Sequence, residues 1–282
     1  MKWKMEAAVQ THAGRVRGNN EDNFYLAGHI KENVNRMQEQ FEGRFNGDLF
    51  LAAAADGMGG QAYGEQASLL AVKALKPCCF EQVRETAGSC MKQANQAICR
   101  ERRRNSGVGM GSTLTTLYVD QGRAICCNIG DSPCYLYREG RLHPLFTAHN
   151  RAERMVQTGI LTRQQAVEHP GRHELTQYLG IFQEEMILQP AFSEEILLKE
   201  GDFFLLATDG LTDGLTEEAI EALLSRNIDA DCGKITEILL QEALSNGSRD
   251  NITVLAVKIR KHRMIPTTLL PTFVRTICKG KG

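Results

Sequence analysis

The sequence predicts an α+β fold in which antiparallel sheets are covered by helices, and three observations carry that prediction. Apolar runs with glycine punctuation follow one another as hairpin-linked strands would, in "STLTTLYVD", "RAICCNIGD", "CYLYREG" and "RLHPLF". Segments with apolar residues at helical spacing come in pairs, early in the chain and again near its end. The regular strand–helix alternation of a parallel, doubly wound sheet is missing.

Taken in order, "EAAVQTHAG" reads as a first strand and "DNFYLAG" as a second, with a polar turn between. Residues 29–47 are polar and irregular, and read as a long hairpin connection. "DLFLAAAA" is a buried strand ending at Asp56. "GEQASLLAVKALKP" has helical spacing and stops at Pro77; a second helix covers about 81–104, and its basic end suits the helix dipole. The four strand runs quoted above follow. Residues 148–180 break the pattern with short helical pieces and a Pro-Gly turn. Strands return at "EMILQPAFSEEILLKEGD" and "FFLLATDG", then come helices at about 216–225 and 233–245 and a last strand, "NITVLAVKI". One domain is therefore expected over residues 1–260, with 261–282 as a C-terminal tail outside the core.

Composition narrows the function. The 282 residues are 42% apolar and 24% charged, the values of an ordinary globular protein. A formal net charge of −1 gives no electrostatic reason to expect nucleic acid or an acidic membrane as partner. No apolar run approaches the ~20 residues of a membrane span, and the N-terminus lacks the apolar stretch of a signal peptide. The nine cysteines include no C-x-x-C pair, so buried thiols in a reducing cytoplasm are expected rather than zinc or disulfides.

Three motifs suggest chemistry and fail on context. "GVGMGST" lacks the lysine of a P-loop and leads into β-branched residues, not a helix. Cys78 and Arg84 have cysteine-phosphatase spacing, but Glu81 stands where a glycine-rich phosphate cradle is needed. His169 and His173 are four apart, yet Pro170 and Gly171 between them exclude helical ligand geometry.

The carboxylates behave differently. Glu21 and Asp22, Asp56, Asp209 with Asp213, and Asp250 stand beside turns or strand ends in four distant segments. Each Asp-Gly alone is a turn signal. Together they place several like charges at the same ends of buried strands, which is costly unless cations neutralise them. The set is all oxygen, which favours Mg2+ or Mn2+ over zinc. Two divalent ions with Arg17 would balance Glu21, Asp22, Asp56, Asp209 and Asp250, an arrangement suited to a phosphate ester.

In this order, "GRVRGNNEDNF", "ADGMGGQAYGEQAS", "GMGSTLTTLYV", "NIGDSPCYLYREGRL", "RHELTQYLG", "LATDGLTDGL" and "SRDNITVLAV" resemble the bacterial form of the PP2C (PPM) family of metal-dependent serine/threonine protein phosphatases. The likeness spans about residues 6–260. It implies a sandwich of two antiparallel sheets, each flanked by a helix pair, with two Mn2+ or Mg2+ ions in a cleft at one end. By position it makes Asp56 the bridging ligand and Gly57 a carbonyl ligand, with Asp209 and Asp250 on one ion and Glu21 and Asp22 on the other. Arg17 matches the phosphate-binding arginine, Asn251 would stand behind the ligands, and residues 148–180 match a flap beside the cleft.

The implied reaction is direct hydrolysis by a hydroxide held between the metals, without a phosphoenzyme. Met58 replaces the histidine of eukaryotic members, as in bacterial relatives. Only Asn105 stands where the family places one acid of a third ion, which leaves Asp213 as the remaining acid of a possible third site. The expected partners are phosphoproteins made by a Ser/Thr kinase, with the phosphatase a monomer. Two other readings share the fold: a phosphatase dedicated to one regulatory protein, and a non-catalytic binding module.

Overall fold

The strand Leu49–Ala55 shows how the layers arise. Side chains alternate across a strand, so Phe50, Ala52 and Ala54 enter a core between two sheets, while Leu51, Ala53 and Ala55 enter another core beneath helices. Burial on both faces removes any polar alternation from "LFLAAAA". Alanine is small enough to let the layers on either side come close.

The computed structural model describes residues 3–47, 49–59, 63–105 and 109–261. Readings that fall on 60–62, on 107–108 of "GVGMGST" and on 262–282 of the tail lie outside the described residues. In chain order the strands are β1 (Trp3–His12), β2 (Asn23–Leu26), β3 (His29–Ile30), β4 (Gln38–Asn46), β5 (Leu49–Ala55), β6 (Gly57–Gly59), β7 (Met110–Ser112) and β8 (Leu114–Asp120). They continue as β9 (Arg123–Ile129), β10 (Cys134–Arg138), β11 (Arg141–Pro144), β12 (Ala191–Phe192), β13 (Ile196–Leu197), β14 (Phe203–Ala207) and β15 (Ile252–Lys261). The helices are α1 (Gly64–Lys73), α2 (Val83–Arg104), α3 (Arg151–Gln157), α4 (Arg163–Glu168), α5 (Asp209–Gly214), α6 (Glu217–Asn227) and α7 (Cys232–Ser245).

Among the described residues, one sheet has the order β11-β10-β14-β15-β1-β4 and the other β12-β9-β8-β5-β2-β3, with β13 also on β9. Neighbouring strands pair antiparallel throughout both sheets. Helices α1 and α2 cover the second sheet, and α5, α6 and α7 cover the first. The fold is thus the expected α+β sandwich of helices, sheet, sheet and helices. Between the sheets, Met5, Val9, Leu255 and Val257 meet Phe24, Leu26 and Leu117.

Three readings are corrected. Residues 29–47 are no irregular connection: β4 pairs with β1 over nine residues and forms a sheet edge. Its "QEQFEGRFN" has only Phe41 and Phe45 turned to the inter-sheet core, because an edge strand with one open side tolerates polar residues elsewhere. In "EMILQPAFSEEILLKEGD" only the two-residue β12 and β13 pair, both on β9. Pro190 and the Glu194-Glu195 pair interrupt any longer ladder. "DGLTDG", read as a turn, is the single-turn helix α5. Packing overrides its poor helix propensity: Leu211 is fully buried, and a Cβ on Gly210 would come within 2.0 Å of the Asn251 carbonyl oxygen.

The eight described cysteines carry free thiols, six of them buried. Among the described residues no helix is long and apolar enough to cross a membrane.

Candidate metal centre

The first sheet supplies acids at the ends of β14 and β15, and the second at the ends of β2 and β5. Asp209 follows β14, Asp250 precedes β15, Asp22 precedes β2 and Asp56 follows β5. Register brings these ends together: β14 pairs with β15 from Ala207↔Val254, and β2 with β5 from Asn23↔Ala55. Chain positions from 21 to 250 thereby converge on one edge of the sandwich.

Asp22 is fully buried. Its Oδ2 accepts 2.7 Å hydrogen bonds from the hydroxyls of Thr208 and Thr253, while its Oδ1 has no partner among the described residues. Burial pushes its pKa up to about 7, against the pull of the two hydroxyls and of Lys31. Asp209 Oδ1 is likewise buried without a donor, and burial raises this carboxyl to about 6. The Asp56 carboxyl lies within hydrogen-bonding reach of Asp209; burial, then Asp209 and Asp22, hold its pKa well above the usual range. Asp56 is fixed from behind, its N–H donating to Thr113 Oγ1 at 2.9 Å and its carbonyl accepting from Thr113 N–H at 2.9 Å.

The loop bearing Arg17 and Glu21 is held by Asn251. Asn251 Oδ1 accepts from Glu21 N–H at 2.8 Å, and its Nδ2 donates to the carbonyls of Ala13 and Asn19 at 2.9 and 2.8 Å. Gly64 shows how tight the corner is: a Cβ there would stand 2.6 Å from Glu21 Oε2 and 2.9 Å from the Gly57 carbonyl oxygen. Those two candidate ligands therefore face the same small space. Burial raises the Glu21 pKa. Arg17 donates to Asp250 Oδ2 at 2.7 Å with about half of its side chain exposed.

Three residues of the centre, Asp131, Arg172 and Lys31, carried no assignment from sequence, and a fourth, His173, was read with His169 only as a polar turn. Asp131 follows the apolar strand β9 just as Asp56 and Asp209 follow theirs, so its signal was present; burial, then Asp209, pushes its carboxyl well up. Arg172 pairs with Asp213. His173, Asp209 and Asp213 bring one ligand atom each within 4.8 Å of one another. Lys31 is buried, donates to the Asn20 carbonyl at 2.6 Å, and is lowered by burial to about 8. Nothing in "GHIKEN" announces it.

Lys31→Met would remove that donor and the cation beside Asp22, leaving a buried carboxylate less compensated. The expected result is a loss of about 1–3 kcal/mol of unfolding free energy in chelator, seen as a lower urea midpoint at unchanged slope. An unchanged midpoint would show that Lys31 plays no such part.

Seven carboxylates, those of Glu21, Asp22, Asp56, Asp131, Asp209, Asp213 and Asp250, thus share a region with three cationic side chains, Arg17, Lys31 and Arg172. The excess of negative charge, the all-oxygen donors and the two donorless buried oxygens fit divalent Mg2+ or Mn2+.

Comparison with known proteins agrees. A family model described as Protein phosphatase 2C matches residues 27–244. The chain belongs to the protein phosphatase 2C family. It is 31% identical over 264 residues to protein phosphatase PhpP of Streptococcus pneumoniae, covering 91% of this chain and 98% of that protein. The structure of the Mycobacterium tuberculosis serine/threonine phosphatase PstP/Ppp aligns with a TM-score of 0.76 at 27% identity, over 92% of this chain and 100% of that one. The PstP catalytic domain in complex with two manganese ions aligns at 0.73 and 26% identity, again over 92% and 100%.

Proposed function

We propose that this chain is a metal-dependent protein phosphatase that removes phosphate from phosphoserine and phosphothreonine without a phosphoenzyme. The observation that carries the reading is the pair of buried carboxylate oxygens, Asp22 Oδ1 and Asp209 Oδ1, that no donor meets among the described residues. Two Mn2+ or Mg2+ ions, as in the manganese complex of PstP, supply Lewis acidity and an activated water when bound.

The chain's own residues do the rest. Asp56, held by Thr113 and lying beside Asp209 and Asp22, is the acid that would serve both ions. Asp209 and Asp250 would hold one ion; Glu21, Asp22 and the Gly57 carbonyl would hold the other. Asn251 keeps the Glu21 loop at the correct height. Arg17, drawn inward by Asp250, Glu21 and Asp56, presents a planar fork to the phosphate oxygens. Asp213, paired with Arg172, is left outside the two-ion set as the acid of a third site. The substrates are phosphoproteins made by Ser/Thr kinases. A single chain provides every acid of the centre, which supports a monomer of residues 1–260 as the working unit. A binding module would have no use for this charge excess.

Release of phosphate from a phosphothreonine peptide tests the reading. Turnover is expected with Mn2+, lost with EDTA, and reduced by at least about a hundredfold in Asp209→Asn. Turnover surviving both treatments would refute it.

A further inference from the structure

A cavity of about 700 Å³ adjoins the metal centre. Asp131, Asp209 and Asp213 are among its lining residues. One wall is the pair α3 and α4, the other the start of α6, and the Pro144–Ala148 segment lies between them. The cleft meets the centre at Asp209, so it offers room beside the centre for the segment that flanks a phosphorylated side chain.

The lining of the cleft has a definite chemistry. Glu153 on α3 and Glu217 and Glu218 on α6 line it together with Arg163. Arg172, which also lines the cleft, is engaged by Asp213 and leaves the imbalance standing. Apolar surface accompanies the acids: Phe146 lines the cleft, and Val167 on α4 is 63% exposed, an aliphatic side chain left in water on a wall. Carboxylates here disfavour acidic neighbours of the phosphoresidue and attract basic ones, and the apolar patch accommodates the stems that carry such charges.

We propose that this cleft binds the substrate segment flanking the phosphoresidue and selects substrates with basic residues there, Glu153 and Glu218 being the determinants. The proposal rests on the phosphatase reading above. It differs from that reading in locating specificity on the half-buried Glu153 and the exposed Glu218, which are not among the acids assigned to the metals.

The test uses phosphothreonine peptides that differ only in carrying arginines or glutamates on both sides of the phosphothreonine, with para-nitrophenyl phosphate as a substrate too small to fill the cleft. The arginine peptide is expected to exceed the glutamate peptide at least about tenfold in kcat/KM, the difference residing in KM. In Glu153→Lys combined with Glu218→Lys, that ratio collapses or inverts while turnover of para-nitrophenyl phosphate holds. Equal use of the two peptides by the unaltered protein would overturn the proposal, as would a ratio that survives the charge reversal. A parallel fall on all three substrates would overturn it too, since the variant would then have damaged the centre itself. No turnover of any substrate by the unaltered protein would defeat the phosphatase reading, and this proposal with it.

Discussion

Asp56→Ala is expected to lower Mn2+-dependent phosphate release by about a thousandfold or more while the protein stays folded. The magnitude exceeds the ~10–100-fold typical of losing a group behind a metal ligand, because Asp56 stands between the acids of the two sheets. Stability separates the loss of a ligand from the loss of the fold. Burial, and then Asp209 and Asp22 beside it, penalise an ionised Asp56 and oppose folding in the metal-free protein. Removing it should leave the melting temperature in EDTA unchanged or higher. The unaltered protein should gain about 2.7 kcal/mol at a hundred times the Kd for metal, equivalent to roughly 5–10 °C for a domain of this size. The variant should lose most of that gain. A variant that melts far lower in EDTA would assign Asp56 a structural role, and retained Mn2+-dependent turnover would refute its place in the centre.

The metal-free protein should also lose stability as pH rises from about 5.5 to 8, the reverse of an ordinary carboxylate-dependent trend. Asp22 is raised to about 7 and Asp209 to about 6, while Asp56 and Asp131 are pushed well upward. In the unfolded chain all four ionise near pH 4. The folded protein therefore binds more protons through this window, and the stability present below pH 4 to 5 is lost as pH climbs through the raised values. His12 and His149, lowered chiefly by burial, oppose this through pH 6.5, but the carboxyls outnumber them. Saturating Mn2+ should invert the slope, since cations and protons compete for the same oxygens. Melting curves with EDTA and with Mn2+ at several pH values decide the matter. A melting temperature in EDTA that is flat or rising between pH 5.5 and 8 would show that burial does not raise these acids in the folded protein.

Much of the molecule was legible in the chain because its signals are local. "DLFLAAAADG" announces a strand buried on both faces and an acid at its end, and "LATDG" does the same. The helices Gly64–Lys73, Val83–Arg104, Glu217–Asn227 and Cys232–Ser245 follow from apolar spacing. Where the signal was weak the reading failed. The strand Gln38–Asn46 has two inward aromatics among polar residues, and only its pairing with Trp3–His12 reveals it. Asp131 had the same strand-end signal as its neighbours, but "NIGDSP" reads as an ordinary turn until Asp209 is seen beside it.

The sequence by itself determined which residues could serve the chemistry: acids at strand ends, Arg17 close to Glu21, no thiolate or zinc constellation. Those properties depend on residue type and short spacing, which a chain carries without folding. Only the tertiary structure decided that Asp22 is sealed beneath Thr208 and Thr253, that Lys31 is a buried counter-charge, and that Arg172 claims Asp213. Burial and charge proximity there join residues up to 231 positions apart, as Asp22 and Thr253 are. No local pattern records such a distance; the closing of two sheets upon one another sets it.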